Sequence, residues 1–331
     1  MKVTAILSTL IGLALTIGLV MMHGGAGIAT SIANAGWGIL LVIALHFPQS
    51  YSSGLAWRSV VISPQVPSRP VVFGLRLIRE GVNALLPVAQ IGGEFVGARL
   101  MALRGVALNK AGAAVTVDLT LEMLSQVIFT VLGLGLLMAN PDTMGTVHWI
   151  VGGVLAALGV VVAFILAQRM GLFLVLEGAL LRLARRQNWK GLEDVAGLHL
   201  AIVELYKSPR RLVLGTGHHL MSWLLGALEV MAALHVVGVP VDLREALIIE
   251  SLGQAIRALG FAVPGALGIQ EGGFILVCGL LGIGPQSAIE LSLLKRIREL
   301  FLGIPGLLAW QWIEGRRLVG AAPSKIEETS S

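Results

Sequence analysis

Charge is scarce in this chain: only 13% of its 331 residues are Asp, Glu, Lys or Arg. A soluble domain carries about 25%. With 56% hydrophobic residues and a mean hydropathy of +0.85, the chain has more apolar surface than a core of this size hides, so lipid must cover the rest. Cysteine is scarcer still. The single Cys278 excludes an intramolecular disulfide and a cysteine-based metal site, and reads as a small apolar helix residue. No G-x4-G-K-[S/T] phosphate loop occurs, which removes ATP-driven work by this chain alone. There is no H-E-x-x-H and no G-x-S-x-G. The seven histidines are scattered, with His218 and His219 assigned to a surface or cavity mouth. No metal and no cofactor is expected. The excess of 24 basic over 19 acidic residues does not point to nucleic acid, because basic residues in such chains mark cytoplasmic loops.

Apolar runs are what the chain has in abundance. Spans are expected over 3–22, 37–57, 113–139, 147–167, 212–237 and 300–313. The first follows Lys2 and is longer than a signal-peptide core, so it reads as an uncleaved span. Glycine, at 42 residues, suits close helix packing. The loop 168–211 holds eight basic residues, whereas 23–36 and 140–146 hold none. That asymmetry places the loop and both termini in the cytoplasm. The loop's spacing of Leu198, Ile202 and Leu205 suggests an amphipathic surface helix touching anionic lipid heads or docking a partner. The polar tail 319–331 is expected to be disordered.

Two further apolar stretches, about 70–108 and 246–298, are interrupted by proline, glycine and charge. In the first, Arg79 and Asn83 precede Pro87, and Gly92, Gly93 and Glu94 follow it. In the second, Arg257 precedes Pro264, and Gly265, Gly268 and Glu271 follow. Arg leads Pro by eight or seven residues, and Glu trails it by seven in both. The flanking spans bring the two stretches in from opposite membrane faces. The expected fold is therefore all-α, a polytopic membrane protein with two inverted repeats, about 37–139 and 212–313, each containing a broken or re-entrant Pro/Gly helix pair. Domain organisation reduces to one transmembrane unit, 1–318.

Proline removes a backbone donor and glycine permits tight turns. Irregular backbone at membrane depth persists only where protein or a wet cavity surrounds it. A charge at the bilayer centre costs about 3 kcal/mol, so the ionised residues of these stretches must be paired or hydrated. Arg79, Asn83, Glu94, Arg257 and Glu271 are the candidate substrate-binding groups. Glu80, Asp118, Glu122, Glu290 and Arg296 are candidates for coupling or support. Asp118 and Glu122 share one helix face at i, i+4. Glu290, Lys295, Arg296, Arg298 and Glu299 cluster before the expected last span, where the topology would put them near the outer face against the basic-inside trend; they are therefore expected to dip into a central cavity, the alternative being a span assignment wrong by one. Two blander readings compete: Arg79–Glu80 and Arg257–Glu271 as ion pairs fixing helix register, and Asp118 as a helix-start charge.

These residues resemble the flippase-like transmembrane family, whose best-known members form the membrane half of lysylphosphatidylglycerol synthases. The matching positions are Arg79, Asn83, Pro87, Gly92, Gly93, Glu94 and the P-G-x-L-G-x-x-E box at 264–271. The pattern is similar to the branch associated with hopanoid biosynthesis, and the likeness covers roughly 1–318. It implies lipid translocation between leaflets, on hopanoid or other polar lipids, in a bacterial inner membrane. Its implied partners are membrane lipids, hopanoid or anionic phospholipid, and lipid-biosynthesis enzymes. The soluble aminoacyl-transferase half of bifunctional relatives is expected to be missing here, so synthase activity is not carried over. A lipid-modifying transferase using Glu94 or Glu271 as base, and a non-catalytic scaffold, are the alternatives.

Overall fold

The computed structural model describes residues 35–86, 92–139, 197–260 and 263–320, with isolated positions between 17 and 33 and between 159 and 166. The expected spans 3–22 and 147–167, Pro87, most of the basic loop and the tail 321–331 therefore lie largely or wholly outside the described residues. Among the described residues all regular structure is helical, in nine α-helices and one 3-10 turn. They are α1 (Gly38–Ser59), α2 (Arg69–Leu85), α3 (Gly92–Ala102), α4 (Leu108–Met138), α5 (Leu198–Tyr206), α6 (Pro209–Val236), α7 (Leu243–Leu259), α8 (Ile269–Leu280) and α9 (Pro285–Gly320), with the turn Pro264–Ala266 between α7 and α8. Three of them, α1, α4 and α6, are long and apolar enough to cross a membrane.

Local chemistry explains the breaks. Leu86 leaves α2 in extended conformation, the region to which a residue before proline is pushed. Val263, before Pro264, is likewise extended. Gly265 and Gly268 then take φ of +61° and +78°, which glycine accepts without steric cost. The chain restarts as α8 because the Glu271 carboxylate accepts from the Gly268 backbone N–H at 2.7 Å. Asp242 and Glu245 start α7 with a reciprocal capping pair, at 2.7 and 2.9 Å.

The helix that carries the expected last span begins well before 300. α9 runs unbroken for 36 residues through Pro305, so the charges at 295–299 sit inside a helix rather than ahead of one. α5 also departs from the expected lipid-surface helix. Its Ile202 and Leu205 are buried in the core shared by α1, α2 and α4, so its apolar face is turned to protein.

The contacts between helices are reciprocal. Exchanging α1–α4 for α6–α9 carries the contact pattern onto itself: α1·α2 matches α6·α7, α2·α3 matches α7·α8, α3·α4 matches α8·α9, and α2·α9 matches α4·α7. The most extensive contact, α1·α6, maps onto itself. These two helices are antiparallel, because Ser53 meets Ser222 at 3.0 Å while Gln49, a turn earlier, meets Glu229 at 2.6 Å, farther along α6. Glycines allow the closest crossings. A Cβ on Gly81 in α2 would lie 2.8 Å from the Gly303 carbonyl oxygen of α9.

Candidate functional site

Two clusters of ionised side chains lie in equivalent positions of the two halves. The first is built by α2, α3 and α4. Arg79 is 1% exposed and reaches Asp118 and Glu94, each at 2.5 Å, with its guanidinium 5.3 Å from the centre of the Trp57 ring. Arg76, one turn earlier, pairs with Glu80 at 2.7 Å and Glu122 at 2.9 Å. Asn83 ties the break to the cluster. Its amide donates to Glu94 at 3.1 Å, and its oxygen accepts from the Gly93 N–H at 2.7 Å. Any side chain at Gly93 would collide with the Arg79 carbonyl and with Asn83. Gly93, the second residue of α3, thus meets α2 with no room to spare.

The second cluster is built by α6, α7, α8 and α9. Arg257 pairs with Glu299 at 2.5 Å. Glu271, fully buried, accepts from Ser292 at 3.0 Å and meets Arg296 at 3.3 Å. Arg296 also donates to the Gly265 carbonyl, which anchors the turn. Lys295 pairs with Glu250 at 2.7 Å, and Arg298 with Glu229 at 2.8 Å. The turn packs against α2; a Cβ on Gly265 would lie 3.5 Å from the Ala84 carbonyl. The second break therefore meets the end of α2, just before the first.

Several expectations are corrected. Arg257 does not pair with Glu271, and Arg79 does not pair with Glu80. In each case the real partner sits on a neighbouring helix, because residues adjacent on one helix, or across a turn, point apart. Glu290 is buried but bonds to Gln286 at 2.9 Å and joins neither cluster. His219 is not at a cavity mouth. It is 1% exposed, with Nε2 2.9 Å from Asp118. The charges at 295–299, by contrast, lie inside the protein, as the cavity reading expects, and not at the outer face.

Sequence reasoning missed Arg76, Glu229, Glu250, Gln49 and His46. Glu229 was the most findable, as the one acidic residue in the span 212–237, and intramembrane acids are functional by default. His46 links the clusters. Its Nδ1 is 2.7 Å from Arg298 and 3.2 Å from Glu229, and its Nε2 is 3.5 Å from Glu80.

Asp118, Glu122 and His219 each place a ligand atom within 4.8 Å of the others. Both carboxylates already hold guanidinium groups, and two fixed cations beside the site disfavour a metal ion. The cluster is an ion-pair node. A groove of about 470 Å³ runs between α2 and α9, lined by residues including Phe47, Ile78, Arg104, Phe301 and Pro305.

A family model described as the lysylphosphatidylglycerol synthase TM region matches residues 9–306. No curated protein and no solved structure matches the chain.

Proposed function

The chain belongs to this family of membrane regions and is a multi-pass membrane protein, and from that premise we propose that it translocates polar lipids between leaflets. The observation that carries this reading is the pair of buried charge clusters meeting where two reciprocally packed halves touch. Antiparallel packing of the equivalent helices α1 and α6 supports an inverted repeat, the plan in which one half rocks against the other around a central site. The groove beside α2 suits an apolar tail, and the first cluster suits a head group, since the side chains of Glu80 and Glu122 are 27% and 23% exposed while the rest of the cluster is buried.

Hopanoid or anionic phospholipid is the substrate class we favour, in a bacterial inner membrane with both termini cytoplasmic and lipid-biosynthesis enzymes as partners. Transport without covalent chemistry is part of the proposal. Arg79 and Arg257 already pair with carboxylates, so an anionic head group competes there with Glu94, Asp118 or Glu299. Such exchange is a natural basis for two states of similar energy.

Leaflet-resolved transport of labelled lipid in proteoliposomes tests the reading. Protein carrying Arg79→Ala with Arg257→Ala should lose transport, and thermal denaturation measured in parallel separates that loss from unfolding. Transport at the wild-type rate in that variant would end the assignment of this site.

A further inference from the structure

Fourteen residues line the groove between α2 and α9, and thirteen of them carry no polar side-chain atom; the exception is Arg104. Along α9 the lining runs from Phe301 to Ile313, about 18 Å of helix. One leaflet of hydrocarbon is about 15 Å thick. The groove therefore matches one leaflet in length and falls short of a full span.

Arg104 stands at one end. Gly81 of α2 meets Gly303 of α9, and Gly306 meets Leu77 and Ile78, so the two helices run antiparallel and Pro70 shares an end with Ile313. α3 leads to that end, because Gly93 abuts Arg79 and Asn83 at its start while Arg99, near its finish, pairs with Glu314. Gly105 then abuts Gln65 in the connection before α2. The same end carries exposed Arg69, next to Pro70, and exposed Arg316, whose guanidinium lies 4.0 Å over the Trp312 ring. Trp312 is itself exposed, and tryptophan beside arginine marks the headgroup level of a membrane. Among the described residues, exposed Arg104 forms no ion pair.

We propose that this groove binds an anionic phospholipid, with one acyl chain laid between α2 and α9 and the phosphate on Arg104. The inference deepens the transport reading, on which its role as a boarding site for cargo rests; binding itself is measured without transport.

Charge complementarity selects the occupant. A guanidinium without a partner at headgroup depth suits a phosphate. Arg69 and Arg316 add a positive field that favours a net negative head group over a zwitterionic one. A helix of the chain itself is the rival occupant. Neither expected span outside the described residues, 3–22 or 147–167, carries an acidic residue to meet Arg104, and a span needs about 30 Å. Among the described residues, nothing fills the groove at Gly74, where a Cβ would have no atom within 4 Å.

The test places full-length protein in phosphatidylcholine nanodiscs with a photoreactive lipid, either phosphatidylglycerol or phosphatidylcholine labelled on the same acyl chain, and maps adducts by mass spectrometry. Phosphatidylglycerol adducts are expected on 70–78 and 301–313, about fivefold above phosphatidylcholine, the preference that one arginine near a membrane surface confers. Arg104→Gln should remove that preference. Gly74→Leu, which enters open space, should reduce adducts from both lipids. Arg104 is exposed and Gly74 unopposed, so both variants should fold, which thermal midpoints check. Equal labelling by the two lipids in wild-type protein, or an unchanged preference in Arg104→Gln protein, would overturn the proposal. Absence of adducts from both lipids would give the groove to a helix instead. Groove labelling in protein that transports neither lipid would keep the binding site and end the transport reading, whereas transport without groove labelling would do the reverse.

Discussion

The cluster of the second half is balanced and closed, whereas that of the first half has two surplus negative charges and two partly exposed carboxylates. Both are set by the same local plan: a 17-residue helix, a break, a short helix and a long helix. Equivalent architecture therefore does not impose equivalent chemistry. A balanced buried cluster fixes helices relative to one another, and an unbalanced one retains an appetite for cations. On the proposed reading, the second half holds shape and the first half binds.

The sharpest way to break this comparison is Glu229→Gln. Glu229 is fully buried and holds Arg298 at 2.8 Å, Lys295 at 3.6 Å and the Gln49 amide at 2.6 Å. Removing its charge strands buried cations, at a cost of about 3–5 kcal/mol. Thermal denaturation in detergent should show the largest loss of any single substitution discussed here. A midpoint within a degree or so of wild type would mean that the second cluster is not the structural one.

Much of this was legible before any coordinates, and the part that was not has a physical reason. Arg79, Glu94 and Glu271 stood out because they flank proline and glycine inside apolar sequence, and the breaks at Leu86 and Val263 follow directly from the prolines after them. Partners were another matter. Arg257 finds Glu299 across 42 residues, and Glu229 finds Arg298 across 69; spacing rules reach only one helical turn. The charges at 295–299 looked misplaced because the apolar run was taken to start at 300. A helix with ionised residues in its middle reads as two segments until its neighbours supply the counter-charges.

Glycine substitutions sharpen the comparison at the breaks. A Cβ at Gly93 would strike the Arg79 backbone oxygen, which has no freedom to move, whereas one at Gly273 would meet the Ile256 side chain at 2.8 Å. Overpacking costs about 1–3 kcal/mol. Gly93→Ala belongs at the top of that range and Gly273→Ala at the bottom, read again as thermal midpoints. Equal effects would mean that the first break is no tighter than the second. Next in size is Glu122→Gln. It removes one surplus charge from a carboxylate 23% exposed, so its cost should stay within about 1 kcal/mol, against several for Glu229→Gln. Comparable losses would erase the distinction between the clusters.

The smallest expected effect separates burial from pairing. Arg99 and Glu314 form a two-point pair at 2.6 and 2.9 Å, within about 0.1 Å of the shortest in the clusters, yet the Arg99 side chain is 57% exposed. Arg257 makes a 2.5 Å pair with Glu299 at 17% exposure. Were proximity alone decisive, Arg99→Ala and Arg257→Ala would cost the same. Solvent screens the exposed pair and hydrates the carboxylate left behind, so Arg99→Ala should cost about 0.2–1 kcal/mol. Arg257→Ala leaves Glu299, whose side chain is 9% exposed, beside Arg296 and Arg298 alone, so its cost should be larger. Added salt should shrink the Arg99 effect and leave the Arg257 effect intact. A salt-insensitive loss at Arg99 would show that the α3–α9 contact, and not only the two clusters, carries part of the fold's electrostatic stability.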